Sequence, residues 1–281
     1  MSRVAIVTDS ASDLPPEVAH RSDITVVPLV VSFGPDSFRP GVNLTTEEFW
    51  QRMTAPEAPF PTTAAAAPGD FMSAFQAAFD AGADSVVCIT VSGDLSGTLK
   101  AAQVAAGQLP GRDIHVVDSR TASMGHGMLA QIAAELAAEG VSGAEIARVI
   151  DHRKSDVALY VALDTLEYLK RGGRISGARA AIGTMLNVKP IITVIGGIVE
   201  NADRVRSRPK ARERVLELLT EKPLERASIL HTTNADVEEF RDLFIQRSKL
   251  DPSKVQVMLV GPSVGPHLGP GCVGATIILR H

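Results

Sequence analysis

SVVCITVSGDLSGTLKAA, residues 85–102, decides how the chain reads. Its first seven residues, 85–91, are rich in β-branched side chains and apolar on both faces, as a strand inside a parallel sheet is. A Gly/Ser/Asp loop follows, and then an Ala-rich helical pattern over 96–106. The same succession occurs at 4–7 (VAIV), where DSASDLP leads into a helix with Asp13 as N-cap and Pro15 just inside the start. It occurs again at 114–117 (IHVV), followed by a helix over 123–138. Strand, loop and helix repeated in this way predict a parallel sheet wrapped by helices.

The first half closes on VSGAEIARVIDHRK, residues 141–154, with Ser142 and Glu145 spaced as a capping box and Val141 placed to staple against Ile146. A new strand begins at 157–163 (VALYVAL), and a short helix ends at Gly172-Gly173. Further strands are expected at 191–195, 228–231, 255–260 and 276–279, with helices over 209–220 and 235–247. The expectation is therefore a two-domain α/β protein, with a parallel-sheet N-terminal lobe over 1–153 and an α/β C-terminal lobe over 154–281.

Composition narrows the function. The 281 residues carry 28 basic and 32 acidic side chains, a net charge of −4 that lacks the basic excess of a nucleic-acid binder. A hydrophobic content of 45% supports a real core, and only 4% aromatics makes that core aliphatic. Cys88 and Cys272 form neither a disulfide framework nor a CxxC pair. The apolar positions at 4–7 are too short for a signal peptide, and no uncharged apolar run approaches a membrane span. A soluble cytoplasmic protein without stable membrane insertion is expected. GxxxxGK[ST], GxGxxG, HExxH and GxSxG are all absent, and the seven histidines show no ligand spacing, so neither a cofactor nor a metal is expected.

Five segments could carry chemistry. The helix start at Ser96, Gly97 and Thr98 offers hydroxyls and unpaired N–H groups at the end of a parallel strand, which suits a carboxylate or phosphate; plain helix capping is the alternative. Thr62 and Thr63 precede another helix start at Pro68, as donors or as an ordinary ST-turn. In VVDSRTASMGHGM, Asp118, His126 and a serine could be drawn as a triad, although the spacing does not favour one over capping. LVGPSVGPHLGPGCVG holds His267 on a Pro-stiffened, Gly-bent loop, as an anion partner or a solvated side chain. RVRSRPKARER, residues 204–214, is either a solvated face or a basic patch for an anionic ligand or acidic partner, and Arg171 and Arg174 add to it.

Together these motifs resemble the DegV family, the acyl-binding proteins of bacterial fatty-acid kinase systems. VTDSASDLP at 7–15, VPLVVSFG at 27–34, LSGT at 95–98 and VVDSRTASMGHG at 116–127 carry the resemblance. So do DTLEYLKRGGRISGA at 164–178, LNVKPIITVIGGIV at 186–199 and GPHLGPG at 265–271. The resemblance implies a long-chain fatty acid bound within two α/β domains, with its carboxylate offered to a separate kinase subunit that makes an acyl-phosphate with ATP. By position, the carboxylate partners would be Thr63, Ser96 and His267, with Gly97 and Thr98 beside them at the helix start. Arg174 and Arg206 would dock the kinase. Two departures stand out. The family's TSQPS-like loop is Thr63-Ala64-Ala65-Ala66-Ala67 here, and the Lys of its KVRT-like segment is Arg204. The leading expectation is a lipid-binding subunit that is not itself a catalyst. The alternative is a phosphotransferase or hydrolase acting on a small anion through His126 or His267. A third option is a regulatory protein docking an acidic partner through 204–214.

Overall fold

The computed structural model describes residues 3–175, 188–232 and 236–280. The chain opens with strand β1 (Val4–Asp9), helix α1 (Pro16–Arg21) and strands β2 (Ile24–Val27), β3 (Val30–Phe33) and β4 (Asp36–Phe38). Helix α2 (Thr46–Met53), strand β5 (Thr62–Ala64) and helix α3 (Pro68–Asp80) follow. Then come β6 (Ser85–Thr90), α4 (Thr98–Gly107), β7 (Asp113–Asp118), α5 (Met124–Ala138) and α6 (Gly143–Arg153). The remainder is β8 (Val157–Ala162), α7 (Glu167–Arg171), β9 (Lys189–Ile195), β10 (Ile198–Val205), α8 (Arg208–Leu219), β11 (Leu224–His231), α9 (Val237–Ser248), β12 (Val255–Leu259), α10 (Gly265–Leu268) and β13 (Val273–Leu279).

The first sheet, ordered β2-β1-β6-β7, is parallel throughout. All six residues of β6 are buried, which is why that strand reads as continuously apolar. The second sheet, β10-β9-β8-β13-β11-β12, is antiparallel except for the β11–β12 pair. A small antiparallel sheet, β4-β3-β5, sits beside the first and sets Thr63 opposite Val31. α5 contacts β1 and β6 on one side and β8 and β13 on the other, so it lies between the two large sheets. One apolar cluster runs through both, joining Val87 and Ile89 to Met124 and Met128 and on to Leu159, Val161 and Leu230. The outer faces are sealed by α3 and α4 on the first sheet and by α8 and α9 on the second.

Several local expectations change. Asp13 is not an N-cap. It adopts a left-handed backbone (φ 52°) after a turn at Ser10–Ser12, and α1 begins after Pro15 with no side-chain cap. Ser142 Oγ accepts from Glu145 N, but the Glu145 carboxylate turns to Arg148, so half of the expected box forms. β10 was not anticipated. Its sequence, IVENADRV, is polar and carries a register shift at the sheet edge, where strand propensity is weakly expressed. Of the segments expected from the resemblance, residues 176–178 and 186–187 lie outside the described residues, as does Ala235 of the expected helix 235–247. Among the described residues, no helix is long and apolar enough to cross a membrane, and no cluster could hold a metal ion.

Candidate functional site

The carboxyl end of β6, the β5 loop and the segment after β12 converge on one cavity between the two sheets. Its empty space is about 790 Å3 including the open mouth. Sixteen of the 22 described lining residues are apolar, so the body of a fitting ligand is hydrocarbon. Leu159, Val161, Ile192, Val194 and Val199 supply one wall from the second sheet. Thr63, Ser96, Ser123, Arg174, Ser263 and His267 are the polar exceptions.

His267 stands on α10, its ring largely buried. Its Nε2 is 3.1 Å from Thr63 Oγ1, which joins two loops 204 residues apart in sequence. Its Nδ1 is buried with no partner. Burial, helped by the nearby Arg174 charge, pushes the imidazole pKa down to about 4, so the ring is neutral at physiological pH. Gly172 is what admits the ring: a Cβ there would fall 2.1 Å from His267 Nδ1. The guanidinium of Arg174 donates to Leu95 O (3.0 Å) and Gly172 O (2.7 Å), which holds it in the wall beside the histidine. Ser96 Oγ lies 2.8 Å from Thr98 Oγ1 and accepts weakly from Thr98 N at 3.3 Å. Among the described residues Arg174 is the one fixed charge on the wall, and no carboxylate lines it. That balance suits a ligand with a single negative charge and a long apolar body.

A family model described as "Uncharacterised protein, DegV family" matches residues 3–280. The chain belongs to the DegV family. A DegV domain-containing protein of Caldanaerobacter subterraneus is 34% identical over 280 residues, covering 98% of each chain. A Thermus thermophilus DegV-family protein whose structure is described by its fatty-acid binding superposes with a TM-score of 0.91 at 37% identity, covering 99% of this chain and 100% of that one. DegV of Bacillus subtilis, described as a fatty acid binding protein, superposes with a TM-score of 0.87 at 30% identity over the full length of both chains. A stearic acid-binding protein of Eubacterium ventriosum gives 0.89 at 27% identity, covering 99% and 98%.

In this DegV-family chain the cavity gathers Thr63, Ser96, Arg174 and His267. Arg174, expected at a partner surface, stands in the cavity wall. Gly97 and Thr98 do not line the cavity; Thr98 is buried, and a Cβ on Gly97 would lie 3.7 Å from Ala65 Cβ. Arg206 is exposed just past β10, away from the cavity.

The imagined triad does not assemble. Asp118 Oδ1 accepts from Arg120 N, whereas His126 is fully buried with Nε2 2.6 Å from Thr8 Oγ1 and 3.8 Å from Asp9 Oδ2. Asp9, its carboxyl pKa raised by burial, accepts from Ala11 N and Val91 N and so ties the ends of β1 and β6 together.

Sequence reasoning did not single out Asp13 as a clamp, nor Ser263. Asp13 Oδ1 accepts from Gly261 N (3.0 Å) and its Oδ2 from Ser123 Oγ (2.5 Å), linking segments 248 residues apart. Burial raises its pKa to about 7. A bent, polar start to the chain was the one available sign, and it reads equally well as a helix cap.

Proposed function

We propose that this protein binds one long-chain fatty acid, its carboxylate at the pole formed by Thr63, Ser96, Arg174 and His267 and its chain along the wall of the second sheet. It presents that carboxylate to a separate ATP-dependent kinase for acyl-phosphate formation and performs no catalysis itself. The carrying observation is a mostly aliphatic cavity whose described residues hold one fixed positive charge, no carboxylate and a neutral histidine paired to a threonine hydroxyl. The fatty-acid binding described for the Thermus and Bacillus proteins supports the same reading. So does magnitude: about 14 methylenes at roughly 0.8 kcal/mol each give a gross gain near 11 kcal/mol before binding costs. The hydroxyls, Arg174 and His267 then need only fix the head group, whose burial without donors would cost several kcal/mol. Thr63 and Ser96 are only partly covered, which leaves the head-group end reachable by a second protein. The kinase would supply ATP, consistent with a cytoplasmic setting. Arg206, on the basic stretch at the end of β10, is the docking contact this reading assigns.

Denaturing the purified protein, extracting it with organic solvent and weighing the extract by mass spectrometry tests the ligand class. A near-stoichiometric long-chain fatty acid is expected. An empty extract, together with no rise in melting temperature on adding fatty acids, would end the lipid reading. For the second half of the proposal, Arg206→Glu should abolish kinase-dependent acyl-phosphate formation while leaving fatty-acid binding intact; unchanged turnover removes Arg206 from docking.

A further inference from the structure

The polar side chains on the cavity wall are held in two separate ways. Thr63, Ser96, Arg174 and His267 are tied to one another or to neighbouring loops, as described above. Ser123 and Ser263 belong to a different arrangement, organised by Asp13. One Asp13 oxygen holds Ser123 Oγ and the other holds the N–H of Gly261, two residues before Ser263. Both serines are buried, at 2% and 4% exposure, and both line the cavity.

Counting hydrogens shows what they offer. Ser123 gives its hydroxyl proton to Asp13, so only its lone pairs face a ligand. Ser263 Oγ lies 2.8 Å from Ser10 Oγ, which already accepts from Leu29 N at 2.9 Å. Those two hydroxyls own two protons. One bridges the pair, and the other has no acceptor among the described residues. The wall therefore carries a spare donor at the Ser10–Ser263 pair, where Ser263 faces the cavity, and a spare acceptor at Ser123. Ser123 also sits at φ 54°, ψ −146°, a backbone conformation unfavourable for a residue with a side chain and fixed here by its N–H to Ala11 O (2.8 Å). A plain hydrocarbon would leave the spare donor and the spare acceptor unused.

We propose that the preferred ligand is a fatty acid bearing a hydroxyl on its chain, which accepts from the Ser263–Ser10 pair and donates to Ser123; this rests on the fatty-acid reading above. A hydroxyl fits because it both donates and accepts. An anionic group does not fit at Ser123, whose only hydroxyl proton is already given to Asp13. The head group is thereby confined to the Arg174 side of the cavity.

The test is a competition. The full-length protein is offered stearic acid together with an equimolar set of positional hydroxystearic acids, and the bound lipids are extracted and quantified. One or more isomers should be enriched about two- to tenfold over stearate, the yield of one net hydrogen bond. That ratio should fall toward one in Ser263→Ala. It should fall likewise in Ser123→Gly, a replacement that suits the positive φ and so keeps the fold. Stearate retained with no isomer enriched overturns the inference and leaves fatty-acid binding standing. So does an enrichment that survives both substitutions. Retention of neither stearate nor any hydroxystearate overturns the fatty-acid reading and this inference with it.

Discussion

His126 and His267 make an instructive pair. Each follows a parallel strand of its own sheet, β7 or β12, each is bracketed by glycines, and each is withdrawn from solvent. His126 is sealed at the start of α5, against Thr8, Ile89 O and Asp9, all inside the first lobe. His267 faces a cavity and touches a hydroxyl from a different sheet, whereas an unpartnered, buried Nδ1 is common to both rings. Glycine-rich strand-end turns thus serve packing in one case and border an open cavity in the other, where the proposed function needs recognition. What separates them is whether the partners are backbone and core or an opening.

The largest expected effect breaks the first half of that comparison. His126→Ala leaves Thr8 and Asp9 buried without their neighbour and should lower stability by about 3 kcal/mol, a melting-temperature drop of roughly 6–12 °C. A variant that melted like the parent but lost its ligand would reverse the assignment. His267→Ala should do the opposite: it should weaken fatty-acid binding about 10- to 100-fold, as expected for a hydrogen bond to a charged group, and shift the melting point little.

Proton linkage sharpens the contrast between His267 and Asp13. His267 has its folded pKa pushed below its usual value, to about 4, so its contribution to stability grows as pH rises from about 4 to 6.5. Asp13 has its folded pKa raised to about 7, so its contribution is greatest at low pH and declines as pH rises from about 4 to 7. The two oppose each other, and the parent protein should show a shallow profile. Asp13→Asn keeps an acceptor for Gly261 N and an amide for Ser123 Oγ but cannot ionise. Its melting temperature should therefore climb between pH 4 and 6.5, by several degrees relative to the parent. Parallel profiles for variant and parent would show that Asp13 carries no such linkage. The smallest effect belongs to Thr63→Val, which preserves shape and removes one hydroxyl; binding should weaken about threefold.

Much of this was legible in the sequence where side chains act locally. β6 announced itself because every residue in it is buried, and Thr63, Ser96 and His267 stood out as polar groups on loops at strand ends. β10 was hidden because an edge strand tolerates Asn, Asp and Arg, so its pattern resembles a loop. Asp13 was misread because its partners lie 110 and 248 residues away, and nothing near it in sequence distinguishes a clamp from a cap. The place of Arg174 in the cavity wall was hidden for a similar reason: it follows from Leu95 and Gly172 carbonyls that only the fold brings together.

The central claim is that the Thr63–Ser96–His267 pole, not the aliphatic wall alone, fixes the ligand. It is tested most directly by measuring the dissociation constant of stearate for the parent and for the Ser96→Ala/His267→Ala double variant, with the melting curve as a control for folding. A loss of at least about 100-fold with the fold intact is the expected result. Equal dissociation constants would place the head group elsewhere and contradict the account.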